Sequence, residues 1–162
     1  IDSDLRQGVL HKNLGIANDD GLSNVLAGKT NNPNIQKISI LDSTIDVLAS
    51  GSASVDPVKL LSTPKLELLI KSFEEQYDLV LVDTPPVLEM VDAIKSSSCC
   101  NGSVLVVRLD EVNKSQVEQS INLLSKINLL GTIVNGLKDN KLRYSKYKSY
   151  INTSLPKVRD FS

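Results

Sequence analysis

The sequence predicts an α/β domain built on a doubly wound, mostly parallel sheet with helices on both faces. Leu, Ile and Val dominate the apolar residues, Trp is absent and aromatic residues make up 4% of the chain, which suits an α/β core. Short runs that are apolar on both faces, as in buried parallel strands, alternate with stretches of helical periodicity. With 162 residues and 41% hydrophobic residues, the chain is long enough for one such domain.

The candidate strands are five short apolar runs. The run at 77–83 (YDLVLVD) ends in an acidic residue that is followed by two prolines. Together with two later runs it predicts a β-α-β-α-β order over residues 77–136, which leads to a doubly wound sheet. The five runs are residues 38–41, 45–50, 77–83, 102–108 and 129–136.

Two stretches have the periodicity of amphipathic helices. Apolar residues recur at largely helical spacing over 57–76, and Pro64 predicts a break there, because proline is tolerated only in the first turn of a helix. Residues 113–127 form the second such stretch, with Asn113 or Ser115 as the predicted N-cap.

Residues 15–36 are predicted to be a loop, since turn residues are frequent there. The triplet Gly28-Lys29-Thr30 matches the last three residues of the phosphate-binding loop motif. However, Ser23 stands where the pattern needs its first glycine, and Asn-Asn-Pro-Asn follows where a helix should begin. We therefore interpret the triplet as a surface turn.

Cysteine use and apolar run length restrict the class of protein. Cys99 and Cys100 are adjacent and cannot join distant segments, which favours a reducing, cytosolic compartment. No apolar run approaches the roughly 20 residues that span a bilayer, and no signal peptide opens the chain. The chain begins at Ile1 in the middle of a strand-like pattern, so we expect it to be a fragment that has lost N-terminal sequence.

Charge is unevenly distributed. Residues 137–162 hold seven cations and two anions, while the whole chain carries a net charge of −1. We therefore divide the chain into a domain at 1–136 and a basic tail at 137–162. The tail favours an anionic contact, although a solvated terminus has the same composition.

Acidic residues follow two of the apolar segments. One motif is Asp2-Ser3-Asp4-Leu5-Arg6 and the other is Asp83-Thr84-Pro85-Pro86. Ligands of open parallel sheets bind beyond the carboxyl ends of the strands, where carboxylates can hold Mg²⁺ or accept a proton. Each motif alone is equally consistent with an Asp that caps a turn or helix.

In order along the chain, the segments IDSDLR, LASG (48–51), YDLVLVDTPPVLEMVDA (77–93), GSVLVVR (102–108) and GTIVNG (131–136) resemble the bacterial tyrosine kinases. These are the cytoplasmic P-loop kinase domains of capsule and exopolysaccharide chain-length regulators. The similarity covers roughly residues 1–150. The DTPP motif is shared with the wider deviant-Walker ATPases of chromosome partitioning and division-site placement.

The resemblance implies an ATP- and Mg²⁺-dependent kinase with a P-loop fold. Asp2 and Asp4 would be the acids of the second Walker A-like motif, near the metal, and one of them would help to deprotonate the acceptor tyrosine. Asp83 would be the Walker B carboxylate on Mg²⁺. The implied nucleotide contacts are Arg6, Arg108 and Asn135, although Asn135 is equally consistent with a turn residue before Gly136.

The sequence departs from the family at three places. In the family, a glycine-rich phosphate loop lies just upstream of the position of Asp2, and the given sequence starts after that loop. Asn101 and Val91 replace the residues usual at their positions. We therefore expect this chain by itself to bind ATP poorly and not to phosphorylate itself.

The tail places Tyr144, Tyr147 and Tyr150 at intervals of three among lysines and arginines. The resemblance implies that these are autophosphorylation sites, modified by a neighbouring subunit in a ring. A basic–aromatic nucleic-acid strip and a membrane-surface anchor are the alternatives for the tail.

The resemblance further implies a fused or separate transmembrane activator, a cognate tyrosine phosphatase, no nucleic-acid partner and a place on the cytoplasmic side of the inner membrane. A partitioning-type ATPase and a non-enzymatic kinase-like scaffold remain the alternative functions.

Overall fold

The computed structural model describes residues 1–52, 56–108 and 111–136. The basic tail predicted at 137–162, with Tyr144, Tyr147 and Tyr150, lies outside these residues. The chain divides into two compact units, Ile1–Cys100 and a second unit that begins at Asn101. Among the described helices, none combines the length and the apolar composition that crossing a membrane requires.

The first unit contains five helices and a two-stranded hairpin. They follow the chain as α1 (Leu10–Leu14), α2 (Leu22–Leu26), β1 (Ile35–Ile40), β2 (Ser43–Leu48), α3 (Pro57–Leu61), α4 (Pro64–Glu74) and α5 (Val91–Ser97). Its buried cluster joins residues from most of these elements: Leu5, Leu22, Leu26, Leu48, Leu61, Leu66, Ile70 and Phe73.

Helices α3 and α4 confirm the predicted break at Pro64. Pro57 and Pro64 each stand in the first turn of a helix, where no backbone N–H donor is needed. The Asp56 carboxylate caps α3 by accepting the Lys59 N–H at 3.0 Å. The helical spacing over 57–76 therefore folds as two helices rather than one.

The second unit has a parallel strand pair joined through a helix. Its elements are β3 (Ser103–Arg108), α6 (Lys114–Leu124), a 3₁₀ turn (Ser125–Ile127) and β4 (Leu129–Asn135), with β3 and β4 parallel. Asn113 begins α6 with a capping box, since its side chain accepts the Gln116 N–H at 3.0 Å and the Gln116 side chain accepts the Asn113 N–H at 2.8 Å. This order confirms the predicted α/β class.

The predicted parallel strands at 38–41 and 45–50 are wrong. β1 and β2 pair antiparallel, with Ile40 opposite Ser43. Only Leu41 and Asp42 connect them, and Leu41 has a φ of 53°. Two residues suffice for a hairpin but not for the crossover that parallel strands need.

Two further predictions need correction. Residues 15–36 are not all loop, because they contain α2 and the start of β1. Residues 77–83 do not form a regular strand: within the described chain their only ladder contact is a bridge between Asp83 and Asp2. Backbone hydrogen bonds join Leu81 and Asp83 of this segment to Ile1–Ser3.

Candidate functional site

The chain start and the segment that ends at Asp83 lie side by side. The Asp83 N–H donates to the Ile1 carbonyl at 2.8 Å, and the Ser3 N–H donates to the Asp83 carbonyl at 2.9 Å. The Ser3 hydroxyl adds a second hydrogen bond to that carbonyl at 2.6 Å. This parallel bridge brings together the two acidic motifs that the sequence singled out.

Asp2 is the most deeply buried carboxylate of this cluster, with 1% of its surface exposed. Its Oδ1 accepts the Asp4 N–H at 3.1 Å. Its Oδ2 is buried and has no hydrogen-bond partner among the described residues. A buried oxygen of this kind is costly unless a donor or a cation satisfies it.

Asp4 organises the turn that follows. Its Oδ1 accepts the Arg6 N–H at 3.1 Å and the Gln7 N–H at 3.0 Å. The turn ends at Gly8, which has a φ of 50°. A Cβ at Gly8 would lie 2.2 Å from the Ser50 Oγ and 3.2 Å from the Asp4 carbonyl oxygen, so only glycine fits there.

The Ser50 side of this contact is held by Asn18. The Asn18 Nδ2 donates to the Gly51 carbonyl at 2.8 Å, while its Oδ1 accepts the Gly51 N–H at 2.9 Å. These hydrogen bonds hold the LASG segment (48–51) in place beside the Asp4 turn.

Burial and neighbouring negative charge raise the pKa values of two of these carboxylates. Burial raises the pKa of Asp2, and the negative charges of Asp83 and Asp4 raise it further. Desolvation raises the pKa of Asp83; the positive charge of the Ile1 amino group counteracts this effect, and the negative charge of Asp4 adds to it. The charge of Asp4 thus makes the ionisation of both Asp2 and Asp83 less favourable, and a nearby cation would relieve this effect.

Arg6 is engaged by a carboxylate from another element. Its Nε donates to the Asp92 Oδ2 at 2.5 Å, and its Nη2 lies 3.5 Å from the Asp92 Oδ1. Asp92 is in the first turn of α5 and is 1% exposed, whereas the Arg6 side chain is 40% exposed. The predicted nucleotide contact of Arg6 thus competes with its ion pair to Asp92. No local pattern in the sequence predicts this pair, because its partners are 86 residues apart.

In the second unit, Arg108 and Asn135 end β3 and β4 and are paired in register. Arg108 forms an exposed ion pair with Glu111 at 3.2 Å. The Asn135 Oδ1 accepts the Gly136 N–H at 2.8 Å, which is the turn geometry that the sequence left open. The structure thus brings together these two candidate nucleotide contacts.

The carboxylates of the first unit fit a hard divalent cation. Mg²⁺ prefers oxygen ligands, keeps several waters and needs only one or two carboxylates. Within the part of the chain that the structure describes, no three His, Cys, Asp or Glu side chains converge as a ready-made metal cage. Asp83, Asp4 and the unpaired Asp2 Oδ2 supply the type of oxygen ligand that such a cation prefers.

No family model matches the sequence. Among curated proteins, the chain is 32% identical over 155 residues to the putative tyrosine-protein kinase EpsB of Ralstonia solanacearum. The aligned region covers 93% of this chain and 20% of EpsB. The chain is 35% identical over 152 residues to the tyrosine-protein kinase YwqD of Bacillus subtilis, and the aligned region covers 93% of the chain and 63% of YwqD. The chain thus spans from a fifth to less than two thirds of these relatives.

Solved structures agree with the sequence comparison. The kinase domain of the Escherichia coli tyrosine kinase Etk superposes with a TM-score of 0.78 and 34% identity, over 86% of this chain and 55% of that one. The cell division ATPase MinD of Pyrococcus furiosus superposes with a TM-score of 0.66 and 25% identity, over 86% and 59%. These matches confirm the predicted P-loop NTPase-like fold, and the chain is homologous to the bacterial tyrosine-protein kinases.

Proposed function

We propose that this chain is part of an ATP-dependent protein-tyrosine autokinase that regulates the synthesis of capsular or extracellular polysaccharide. The observation that carries the proposal is the bridge between Asp2 and Asp83, which places two acidic motifs at one edge of the first unit. Both motifs occur in a chain homologous to tyrosine-protein kinases.

In this proposal, Asp83 and Asp4 hold the magnesium ion of the nucleotide. Mg²⁺, when bound, neutralises negative charge that develops on the phosphates during transfer. Asp4 is half-buried and hence more accessible than Asp2, so Asp4 accepts the proton of the acceptor tyrosine while Asp2 supplies negative charge behind it. The raised pKa values of Asp2 and Asp83 return toward normal once a cation is present.

The nucleotide contacts proposed from the resemblance are Arg6, Arg108 and Asn135. The phosphoacceptors are Tyr144, Tyr147 and Tyr150, where Arg143 and Lys146 would offset the charge of each phosphate.

The partners in this proposal are those of a membrane-linked regulator. They are a transmembrane chain-length-determinant or activator segment, fused or separate, further copies of the chain in a ring, and a cognate tyrosine phosphatase. Nucleic acid is not among them. The proposed location is the cytoplasmic side of the bacterial inner membrane.

The test is autophosphorylation of the full-length gene product with Mg²⁺ and ATP. Phosphotyrosine is mapped by mass spectrometry in the wild type, in Asp83→Asn, and in Asp42→Asn as a matched control, because Asp42 is an exposed residue of the turn between β1 and β2. We expect phosphotyrosine at 144, 147 or 150 in the wild type and in Asp42→Asn, and its loss in Asp83→Asn.

The similarity to MinD supports a second candidate, an ATPase without kinase activity. Release of inorganic phosphate that depends on Asp83, with no phosphotyrosine, would establish the ATPase and refute the kinase. If the wild type shows neither product, the scaffold alternative is favoured.

A further inference from the structure

The ion pair between Arg6 and Asp92 joins two segments that both carry proposed site residues. Arg6 belongs to the turn that Asp4 organises, and Asp92 belongs to the helix that follows the Asp83 motif. Both guanidinium contacts, at 2.5 and 3.5 Å, run to the same carboxylate. The pair therefore links the Asp4 turn to the segment after Asp83, at a second point beside the Asp2–Asp83 bridge.

The burial of the two partners is unequal. The Asp92 side chain is 1% exposed and that of Arg6 is 40% exposed. No other side-chain partner of the Asp92 carboxylate is found in the described residues, so Arg6 is its counter-charge. A buried carboxylate that loses its counter-charge is strongly destabilising, whereas a half-exposed guanidinium can turn to water. This asymmetry holds Arg6 in place at Asp92.

The turn is also restrained at Gly8. The backbone of Gly8 lies so close to Ser50 that an added Cβ would be 2.2 Å from the Ser50 Oγ, and Asn18 holds the neighbouring Gly51 backbone. The Asp4 carboxylate thus lies in a turn that is restrained both at Arg6 and at Gly8. A carboxylate that must meet both a metal and a hydroxyl needs placement of this accuracy, since errors of about 1 Å can cost 10²-fold in rate.

We propose that Arg6 and Asp92 form a positioning pair that holds Asp4 in its working orientation, and that Arg6 acts through Asp92 rather than by binding nucleotide. This inference rests on the proposed kinase function. It assigns a role to Asp92, and it changes the role of Arg6 from a cofactor contact to a support of the acid beside it.

The test compares Arg6→Gln, Asp92→Asn and the double variant in the full-length gene product. Kinetics of autophosphorylation are measured together with hydrogen–deuterium exchange of the peptides that cover residues 4–8. We expect each single variant to lower kcat about 10-fold, with the KM for ATP changed less than 2-fold, and the double variant to be no slower than the worse single. Exchange at residues 4–8 should rise in all three.

The matched control is the Glu67–Lys71 pair on α4, which is also an ion pair between a carboxylate and a cation, at 2.7 Å, but has two exposed partners. Neither Lys71→Gln nor Glu67→Gln should change kcat or exchange at residues 4–8. A KM for ATP that rises in Arg6→Gln but not in Asp92→Asn would make Arg6 a nucleotide contact and overturn the proposal. Multiplicative losses in the double variant would overturn it as well.

Exchange separates this inference from the kinase function itself. Unchanged exchange at residues 4–8 in the single variants refutes the positioning pair whatever the enzyme does. If exchange rises in the variants and the wild type makes no phosphotyrosine, the result supports the pairing and refutes the kinase function.

Discussion

Replacing Asp2 by Asn should stabilise the protein and abolish its proposed activity at the same time. The Asp2 Oδ2 is buried without a partner, and nearby Asp4 and Asp83 are negatively charged. Asn removes the charge but keeps an oxygen that can accept the Asp4 N–H. The neutral amide nitrogen then occupies the unpaired position. Because a buried charge costs more than a buried neutral polar group, we expect a gain of about 1 kcal/mol, or about 2–4 °C in Tm for a domain of this size.

The sign of the pH dependence follows from the raised pKa of Asp2. Between the ordinary carboxyl pKa and this raised value, the folded state binds more protons than the unfolded state. The contribution of Asp2 to stability without a cation therefore falls as pH rises through that window, and this contribution is greatest below it. Asp2→Asn should flatten this fall, and Mg²⁺ should stabilise the wild type more than the variant.

The measurement is thermal unfolding of the full-length gene product from pH 4 to pH 8, with and without Mg²⁺, alongside the phosphotyrosine assay. Asp42→Asn serves as the control for removing one acidic charge from the surface. A Tm that drops in Asp2→Asn at pH 7, or a Tm gain of the variant over the wild type that does not grow with pH across the window, would refute the reasoning.

Gly8→Ala should lower autophosphorylation at least 10-fold, because its Cβ would collide with Ser50 and displace the Asp4 turn. Gly15→Ala is the control: it has a similar positive φ but no atom within 4 Å of the new Cβ, so its activity should remain near that of the wild type. Leu66→Ala removes a fully buried core side chain and should cost about 2–5 kcal/mol of unfolding free energy. Leu68→Ala on the same helix is 65% exposed and should cost less than about 0.5 kcal/mol; equal losses in the two leucine variants would contradict the assigned core.

Local signals in the sequence were enough for helices α3, α4 and α6, but not for α2, which was predicted to be a loop. The break at Pro64 and the cap at Asn113 were predictable, because proline geometry and capping act within a few residues. The acids at positions 2, 4 and 83 were also predictable as candidate ligands, since their chemistry is a property of the residue type.

Pairing between distant segments was decided by the tertiary structure. Strand direction in β1 and β2 depends on the connecting turn, and apolar composition alone does not distinguish parallel from antiparallel pairs. The Arg6–Asp92 pair joins positions 86 residues apart, and the periodicity of apolar residues along the chain does not predict such a contact. The sequence thus supplied the chemical groups and the local elements, whereas packing determined which groups meet, because burial and charge pairing act between residues that are neighbours only in space.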